Sequence, residues 1–344
     1  MKNMSKASKN AFFNYALVIV FYIVLQFMIN GKMISSSLKG QLIPICCYVA
    51  MAVSLNLVVG ISGELSLGHA GFMSVGAFSG VIAATLIKGS PDMVRLIVAV
   101  IVGAIVSAIA GFLIGIPVLR LRGDYLAIVT LAFGEIIKNV LNCLYIGKDS
   151  KGIHFSVTDA NAMGMEPDGT VILNGPMGAL GIDKASTFLS AIILVLVVLF
   201  ITQNLVNSQS GRAIKAIRDN RIAAEACGLN ITSYKLMAFV TAAAMAGMAG
   251  AVYALNYSTI VPTKFNFNTS ILILVFVVLG GIGNMTGSII AAAVLTILPE
   301  LLRQFQDYRM LIYAIVLILV MLVTNNAKAK AFLGRFTGKS KKEA

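Results

Sequence analysis

Ionisable side chains are scarce in the apolar segments of this chain, and the clearest exception is a pair, Glu135 and Lys138. The two residues stand three apart within the apolar segment 124–146, so a helix would place them on one face, where they can pair. An ionisable pair at that depth normally faces a bundle interior or a water-filled cavity. Two roles remain open: a self-neutralising pair that fixes helix packing or a subunit contact, or part of a solute pathway. In either role we expect each charge to stabilise the other.

A second group of polar residues interrupts the apolar pattern at GISGELSLGHAG, residues 60–71. This stretch has too few polar residues for an ordinary loop, and it predicts a partly buried kink between two helices. Helix ends at such a break could offer backbone groups to an ammonium and a carboxylate. We therefore place Glu64, Ser66, Gly68 and His69 on a candidate translocation pathway. His69 is either a hydrogen-bonded structural histidine or a titrating group.

The sequence contains no convincing motif for catalysis or metal binding. The stretch GRFTGKS, residues 334–340, looks like a phosphate-binding loop, but three residues separate its first glycine from Gly-Lys where the consensus has four. The four cysteines show no metal-ligand spacing, and Cys46 and Cys47 sit in an apolar run as small core residues do. We expect neither an enzyme nor an ATPase, and no cofactor or metal bound by this chain.

The composition indicates a membrane protein. Of 344 residues, 58% are hydrophobic and only 12% are charged, and the mean hydropathy is +0.89, whereas an ordinary globular domain is roughly 25% charged. The expected fold is all-α, a single transmembrane domain over residues 1–344 with about 8 to 10 spans, including broken or re-entrant helices. The net charge of +13 fits cationic flanks of spans, and no nucleic-acid partner is expected.

The apolar segments predict a topology. They lie near residues 11–29, 42–61, 70–87, 94–119, 124–146, 186–206, 236–257, 270–298 and 310–323. With the basic N-terminus in the cytoplasm and its first helix retained, the loop 207–235 falls inside and the loop 147–185 outside. The outer loop carries an excess of acidic residues: Asp149, Asp159, Glu166, Asp168 and Asp183.

The charge of the C-terminal tail indicates that one apolar segment does not cross. Nine full crossings would leave the basic tail, residues 325–344, outside. The sequence GGIGNMTG, residues 280–287, divides the segment 270–298 into two pieces of about a dozen residues, each too short to span comfortably. Two half-helices that enter and leave on one side return the tail to the cytoplasm. Broken backbone is tolerated there only where protein or a water-filled cavity satisfies it, so three glycines join the pathway candidates: Gly280, Gly281 and Gly283.

Small residues indicate where helices touch. Glycines stand four residues apart in three places: Gly76 with Gly80, Gly111 with Gly115, and Gly283 with Gly287. Such spacing lets helix backbones approach closely. We interpret these glycines as packing sites rather than functional sites.

Residues 211–228 form a polar, net basic stretch between two long apolar runs. Apolar and charged positions alternate with helical periodicity, which predicts one short amphipathic helix or two, ending at Gly228. A plain connecting loop could be far shorter. Such a helix could lie flat at the lipid headgroups or dock into a groove on a soluble partner, and its spacing fits both.

Four stretches, in order over roughly residues 40–300, resemble permease subunits of branched-chain amino acid ABC importers. They are GELSLGHAGFMSVGAFSG, LRLRGDYLAIVTLAFGEIIKNV, GRAIKAIRDNRIAAEACGLNITSYKLMAFVTAAAMAGMAGAVYAL and LGGIGNMTGSIIAAA. The resemblance implies that residues 212–228 are the coupling segment, which sits in a cleft of an ATP-binding subunit. It assigns five residues to that contact: Arg212, Arg218, Glu225, Ala226 and Gly228.

The resemblance also implies partners, a location and a solute. The partners would be a second homologous permease, two ATP-binding cassette subunits that bind the ATP, and an extracytoplasmic solute-binding protein. The location would be the cell membrane of a prokaryote, with both termini cytoplasmic, and the solute leucine, isoleucine or valine.

Other transport functions stay open at this point. NGPMGALGI, residues 174–182, is looser than the Gly-rich external loop usual in the family, and the tail lacks the usual Pro-Gln-Gly-Leu-like ending. Both departures bear on the solute more than on the class. Permeases for urea, amides, nucleosides or sugars resemble this family. A stand-alone ion-coupled secondary transporter is the alternative from another class, but the chain lacks a dense set of intramembrane carboxylates.

Overall fold

A computed structural model describes residues 6–31, 36–121, 123–159, 161–165 and 169–302, with six further positions between 308 and 318. Several sequence predictions fall outside the described residues: those for Glu166 and Asp168, most of the segment 310–323, the stretch 334–340 and the tail 325–344.

Helices dominate the described part of the chain. They are α1 (Lys6–Asn30), α2 (Ser36–Asn56), α3 (His69–Leu86), α4 (Asp92–Val118), α5 (Asp124–Asn142), α6 (Phe188–Asn207), α7 (Gln209–Asp219), α8 (Arg221–Ala226), α9 (Ile231–Ala254), α10 (Phe267–Gly280) and α11 (Met285–Leu301). Eight segments of the described chain are long and apolar enough to cross a membrane, and α11 is a shorter apolar helix. The polytopic helical membrane fold expected from the sequence is confirmed.

The long helices run alternately between two ends of the bundle. At one end, which we call the sheet end, a small β-sheet connects α5 to α6, and β5 follows α9. At the other, the α7 end, α7 and α8 connect α6 to α9. The chain therefore keeps its charged inter-span helices at one end and its strands at the other.

The sheet end is more ordered than the predicted loop 147–185. Five short strands pair antiparallel in the order β2-β1-β3-β4-β5: β1 (Tyr145–Asp149), β2 (Gly152–Ser156), β3 (Thr170–Asn174), β4 (Ala179–Leu180) and β5 (Thr259–Ile260). Because β1 begins at Tyr145, α5 ends at Asn142 rather than near residue 146. Ile146 and Leu173 are buried and join the helical core, so the strands cap the bundle.

The centre of the bundle is built on close helix contacts. The apolar stretches of α2, α3 and α9 are 94%, 72% and 72% buried, whereas that of α1 is 11% buried. The first three helices therefore form the core. Two of the predicted glycine pairs lie at contacts with α9: Gly76 and Gly80, and Gly111 and Gly115. In the third pair, Gly287 of α11 packs on Gly280 of α10, whereas Gly283 lies in the turn between these helices and packs on Gly60. Without side chains there, the backbones approach closely.

The segment 270–298 is a hairpin of two antiparallel helices, α10 and α11. The turn between them, residues 281–284, lies at the α7 end, and both outer ends point to the sheet end. The helices have 14 and 17 residues, more than the dozen expected. The reason is that Asn266 caps α10 four residues before the predicted start, while α11 continues through Pro299 to Leu301.

Candidate translocation and coupling site

The first break in the helices carries the chain back into the bundle. α2 ends in a π-helical turn, Leu57–Ser62, Gly63 adopts φ +76°, and residues 63–68 are not helical. α3 runs parallel to α9 with Gly76 against Gly247, so its first residue, His69, lies level with about the middle of α9. The N-terminus of α3 thus lies inside the bundle, in keeping with the predicted partly buried kink.

The polar residues of this break are held by α2, α5 and α10. His69 is 2% exposed, and its Nε2 lies 2.7 Å from Ser54 Oγ, which gives it the partner of a structural histidine. The backbone N–H of Leu67 donates to Thr130 Oγ1 at 3.0 Å, and that of Ala70 donates to Ser270 Oγ at 3.2 Å. These bonds fix the start of α3 against two neighbouring helices.

Two residues of the break have a distinctive environment. Gly68 packs so closely on the Thr130 carbonyl that any Cβ would overlap it. Ser66 is 1% exposed, and its hydroxyl has no hydrogen-bond partner among the described residues. A buried hydroxyl without a partner costs free energy, so Ser66 offers an unused polar group at the N-terminus of α3.

Glu135 and Lys138 form the ion pair expected from their spacing. The side chains are 32% and 19% exposed, and Glu135 Oε1 also accepts from the backbone N–H of Phe267, the first residue of α10, at 3.2 Å. Glu135 lines a cavity of about 10 Å³ together with Leu67, Gly71 and Ser270, room for about one water. The pair therefore lies beside the first break, and the two groups of pathway candidates meet there.

The glycines of the second break lie elsewhere. The backbone N–H of Gly283 donates to Asn56 Oδ1 at 2.9 Å, and Gly60 packs on Gly283. Gly280 packs on Gly287 at the base of the turn. The second break therefore lies next to the end of the first break that is nearer α7. Its glycines, Gly280, Gly281 and Gly283, are not part of the cluster that contains His69 and Glu135.

Two short helices form in the predicted amphipathic stretch. Ser208 caps α7 through the N–H of Gly211 at 3.1 Å, and Asn220 caps α8 through the N–H of Ala223 at 3.0 Å. After α8, Gly228 takes φ +81° and donates to Glu225 O, while Leu229 donates to Ala224 O, the Schellman arrangement that favours glycine. The predicted end at Gly228 is confirmed.

One face of this pair of helices is anchored on the bundle. Ile214 and Ile217 are 1% and 3% exposed. Arg218 Nη1 donates to Gly60 O at 2.9 Å, and Lys235, just after the start of α9, forms a largely buried ion pair with Glu64, in which each side chain is 12% exposed. Arg218 therefore contacts the first break, although its side chain is still 38% exposed and also pairs with Asp219. Lys235 was not among the site residues predicted from sequence.

The other face of α7 and α8 is exposed. Ile222 is 81% exposed, and Arg212, Glu225, Ala226 and Gly228 are exposed as well. Glu225 has no ion pair or hydrogen bond through its side chain among the described residues. We call this exposed face, with the uncovered Ile222, the platform of α7 and α8. Its combination of charged and apolar side chains is suited to docking in a groove of a partner.

Comparison with known proteins identifies the family. Residues 38–321 match the family described as the permease component of branched-chain amino acid transport systems. The chain is 36% identical over 285 residues to the high-affinity branched-chain amino acid transport system permease protein LivM of Salmonella typhimurium and to that of Escherichia coli, covering 80% of this chain and 66% of each relative. It is 25% identical over 327 residues to the LivH permease protein of Salmonella typhimurium, covering 88% of this chain and 94% of that protein.

These matches identify the family of this chain, but they cover only part of the LivM relatives. The chain spans 66% of the length of the two LivM relatives, just under two thirds. No solved structure matches it significantly. The family match covers well over half of the chain, and its relatives are transport permease components rather than enzymes. This multi-pass membrane protein therefore belongs to the family of permease components of branched-chain amino acid transport systems.

Proposed function

We propose that this chain is the transmembrane permease subunit of an ATP-driven importer that passes leucine, isoleucine or valine. The observation that carries the proposal is the platform of α7 and α8, the exposed face of two helices that are anchored on the bundle by the opposite face. The names of the relatives support the solute class. In this proposal the chain binds no cofactor, and two partner subunits bind and hydrolyse ATP.

The contacts of α7 suggest how the partner's movement reaches the pathway. Arg218, near the end of α7, bonds to Gly60, and Lys235, near the start of α9, pairs with Glu64, so the helices on both sides of α8 contact the first break. A displacement of α7 would move residues 60–68, and with them Ser66 and the N-terminus of α3. Sliding of packed helices is a common way to transmit such a shift.

A second permease subunit would complete the pathway along α5. One face of α5 exposes large side chains at helical spacing: Tyr125, Ile128, Ile136 and Val140. Glu135, the residue before Ile136, lies at the edge of this face. We infer that a second, homologous permease covers it and that the solute, delivered by an extracytoplasmic binding protein, passes between the two subunits near the first break.

The function is tested by reconstituting the chain with its permease partner, ATP-binding subunits and binding protein in liposomes. We expect ATP-dependent uptake of leucine that exceeds uptake of urea and of nucleosides. Ile222→Asp should weaken co-purification of the ATP-binding subunits by about 30-fold or more and abolish uptake, because a charge replaces an exposed apolar anchor. Ile153→Asp, on the exposed surface of the sheet end, is the matched control and should change neither.

Three results would count against this function. Faster uptake of urea or a nucleoside than of leucine would show that the proposed solute class is wrong. Full co-purification of the ATP-binding subunits with Ile222→Asp would remove the docking role of α8. Uptake that needs an ion gradient but not ATP would indicate the secondary transporter instead.

We further propose that the α7 end is cytoplasmic, with the sheet end outside, in a prokaryotic cell membrane. Basic residues at the α7 end, including Arg212, Lys215 and Arg221, motivate this orientation. Cys227 is exposed beside α8, and Met177 is exposed at the sheet end. Cys143, at the sheet end, is exposed as well and is replaced by Ser in both experiments. A membrane-impermeant maleimide should label Met177→Cys, on a Cys143→Ser and Cys227→Ser background, in intact cells. It should reach Cys227 of the Cys143→Ser chain only after the membrane is opened. The reverse pattern would invert the topology.

A further inference from the structure

A polar pocket of about 360 Å³ lies at the α7 end, between α1, α6, α7 and the first turn of α11. Its polar lining includes Asn14, Gln203, Asn207, Lys215, Arg218 and Thr286. Two of these residues are cationic, and none of the described lining residues is acidic. The pocket is therefore suited to an anion with several hydrogen-bonding atoms.

Gln203, which lines the pocket, has unsatisfied polar atoms. The residue is only 7% exposed, yet neither its amide nitrogen nor its amide oxygen has a hydrogen-bond partner among the described residues. Burying an amide without partners costs free energy. A ligand that satisfies Gln203 must accept one hydrogen bond and donate another, as a phosphate with a neighbouring hydroxyl does.

The charges around Gln203 favour a phosphate. Lys215 Nζ makes a single hydrogen bond, to Val206 O at 3.1 Å, which leaves two of its three N–H donors for a ligand. Arg218 is partly neutralised by Asp219, which is 65% exposed, so Lys215 is the stronger cation. The first turn of α11, at Met285 and Thr286, also lines the pocket, and N–H groups at a helix N-terminus favour anions.

An apolar groove of about 400 Å³ lies between the same helices, nearer the sheet end. Its lining lies on turns closer to that end than those that line the pocket: Phe21 and Val24 on α1, Ile192 and Val195 on α6, and Ala293 and Ile297 on α11. Cys46 of α2 forms part of its floor. One ligand in both spaces would carry an anionic head and a long apolar tail.

We propose that the pocket and the groove together hold one anionic glycerophospholipid. Its phosphate contacts Lys215, Gln203 and the first turn of α11, and an acyl chain occupies the groove between α1, α6 and α11. An apolar helix of another protein would fill the groove but leave Gln203 and Lys215 without a ligand, and free phosphate would leave the groove empty. The lipid would link α1 to α7 and α11, whichever solute crosses.

Native mass spectrometry of the full chain tests this proposal, with phosphatidylglycerol and phosphatidylcholine offered in equal amounts. We expect preferential retention of phosphatidylglycerol. Lys215→Gln should reduce that retention about fivefold, the effect of one lysine at an anionic lipid. Ala293→Phe, which narrows the groove without changing charge, should reduce retention of the same lipid. Lys264→Gln, an equal loss of charge near the sheet end, is the control and should leave retention unchanged.

Three outcomes would overturn the proposal. Equal retention of the two lipids would remove the headgroup pocket. If millimolar inorganic phosphate displaced phosphatidylglycerol, and Ala293→Phe retained as much of the lipid as the unaltered chain, the pocket would be a site for a free anion. Loss of the lipid whenever ATP-binding subunits are bound would assign the pocket to a protein contact. If Lys215→Gln fails to fold, Ala293→Phe and Gln203→Leu give the same readout.

Discussion

Replacing Glu64 by Gln, or Lys235 by Met, should destabilise the bundle by about 3–5 kcal/mol, whereas replacing both should cost much less. Each side chain of this pair is only 12% exposed, and the pair joins the first break to the start of α9. A single substitution leaves one charge buried without its partner. The double substitution removes the desolvation penalty together with the attraction, so the two effects should not add.

The measurement is the temperature at which half of the detergent-solubilised protein leaves the monodisperse peak in size-exclusion chromatography. The control is Asp219→Asn, which removes one partner of the exposed Arg218–Asp219 pair and should cost less than about 1 kcal/mol. The loss of stability for Glu135→Gln should lie between those for Glu64→Gln and Asp219→Asn, because the Glu135–Lys138 pair is more exposed than Glu64–Lys235 in the single chain. If the double variant lost as much as the two single variants together, Glu64 and Lys235 would not act as a pair.

The local features of the site were predictable from sequence. Glu135 and Lys138 are three apart, so helical geometry alone brings them together. Gly228 follows a helix-forming stretch and takes the left-handed conformation that its position indicates. The kink at residues 60–71 follows from too few polar residues for an open loop and glycines at both ends. Each inference needed only residues within one turn or one loop.

Contacts between distant segments were not predictable. Glu64 and Lys235 are 171 positions apart, and the sequence around neither residue indicates that the two pair. Arg218 was assigned to the coupling contact through the family resemblance, which did not indicate that its guanidinium also donates to a carbonyl that the π-helical turn leaves accessible. A charged residue beside a broken helix can satisfy the backbone inside as well as bind a partner outside.

The sheet was missed for a different reason. Its strands have two to five residues, too few for an alternating pattern to stand out. Strand β5 comes from the far side of α9, and pairing of Ala179 with Ile260 depends on the packing of α6 and α9. Such strands form because the helices bring their ends together, not because their own sequences require it.

Replacing Gly76 by Ala should cost about 3 kcal/mol or more and sharply reduce the yield of folded protein. A Cβ at Gly76 would overlap the backbone of Gly247, and backbone atoms cannot move aside as a side chain can. The contact lies where α3, α4 and α9 meet, because Gly247 in turn packs on Gly103 and Ser107. Relief would require separating three helices of the core and losing the close packing that holds them together.

Gly40→Ala is the matched control for this substitution. Gly40 lies in α2 with nothing within 4 Å of the position of a Cβ, so the same change should be neutral or stabilise the helix by up to about 1 kcal/mol. Gly247→Ala should reproduce the loss seen for Gly76→Ala, since it strikes the same contact from the other side. Equal thermal stability of Gly76→Ala and Gly40→Ala would mean that α3 and α9 are not packed through these glycines. The position of His69 level with the middle of α9, on which the proposed pathway rests, would then be wrong as well.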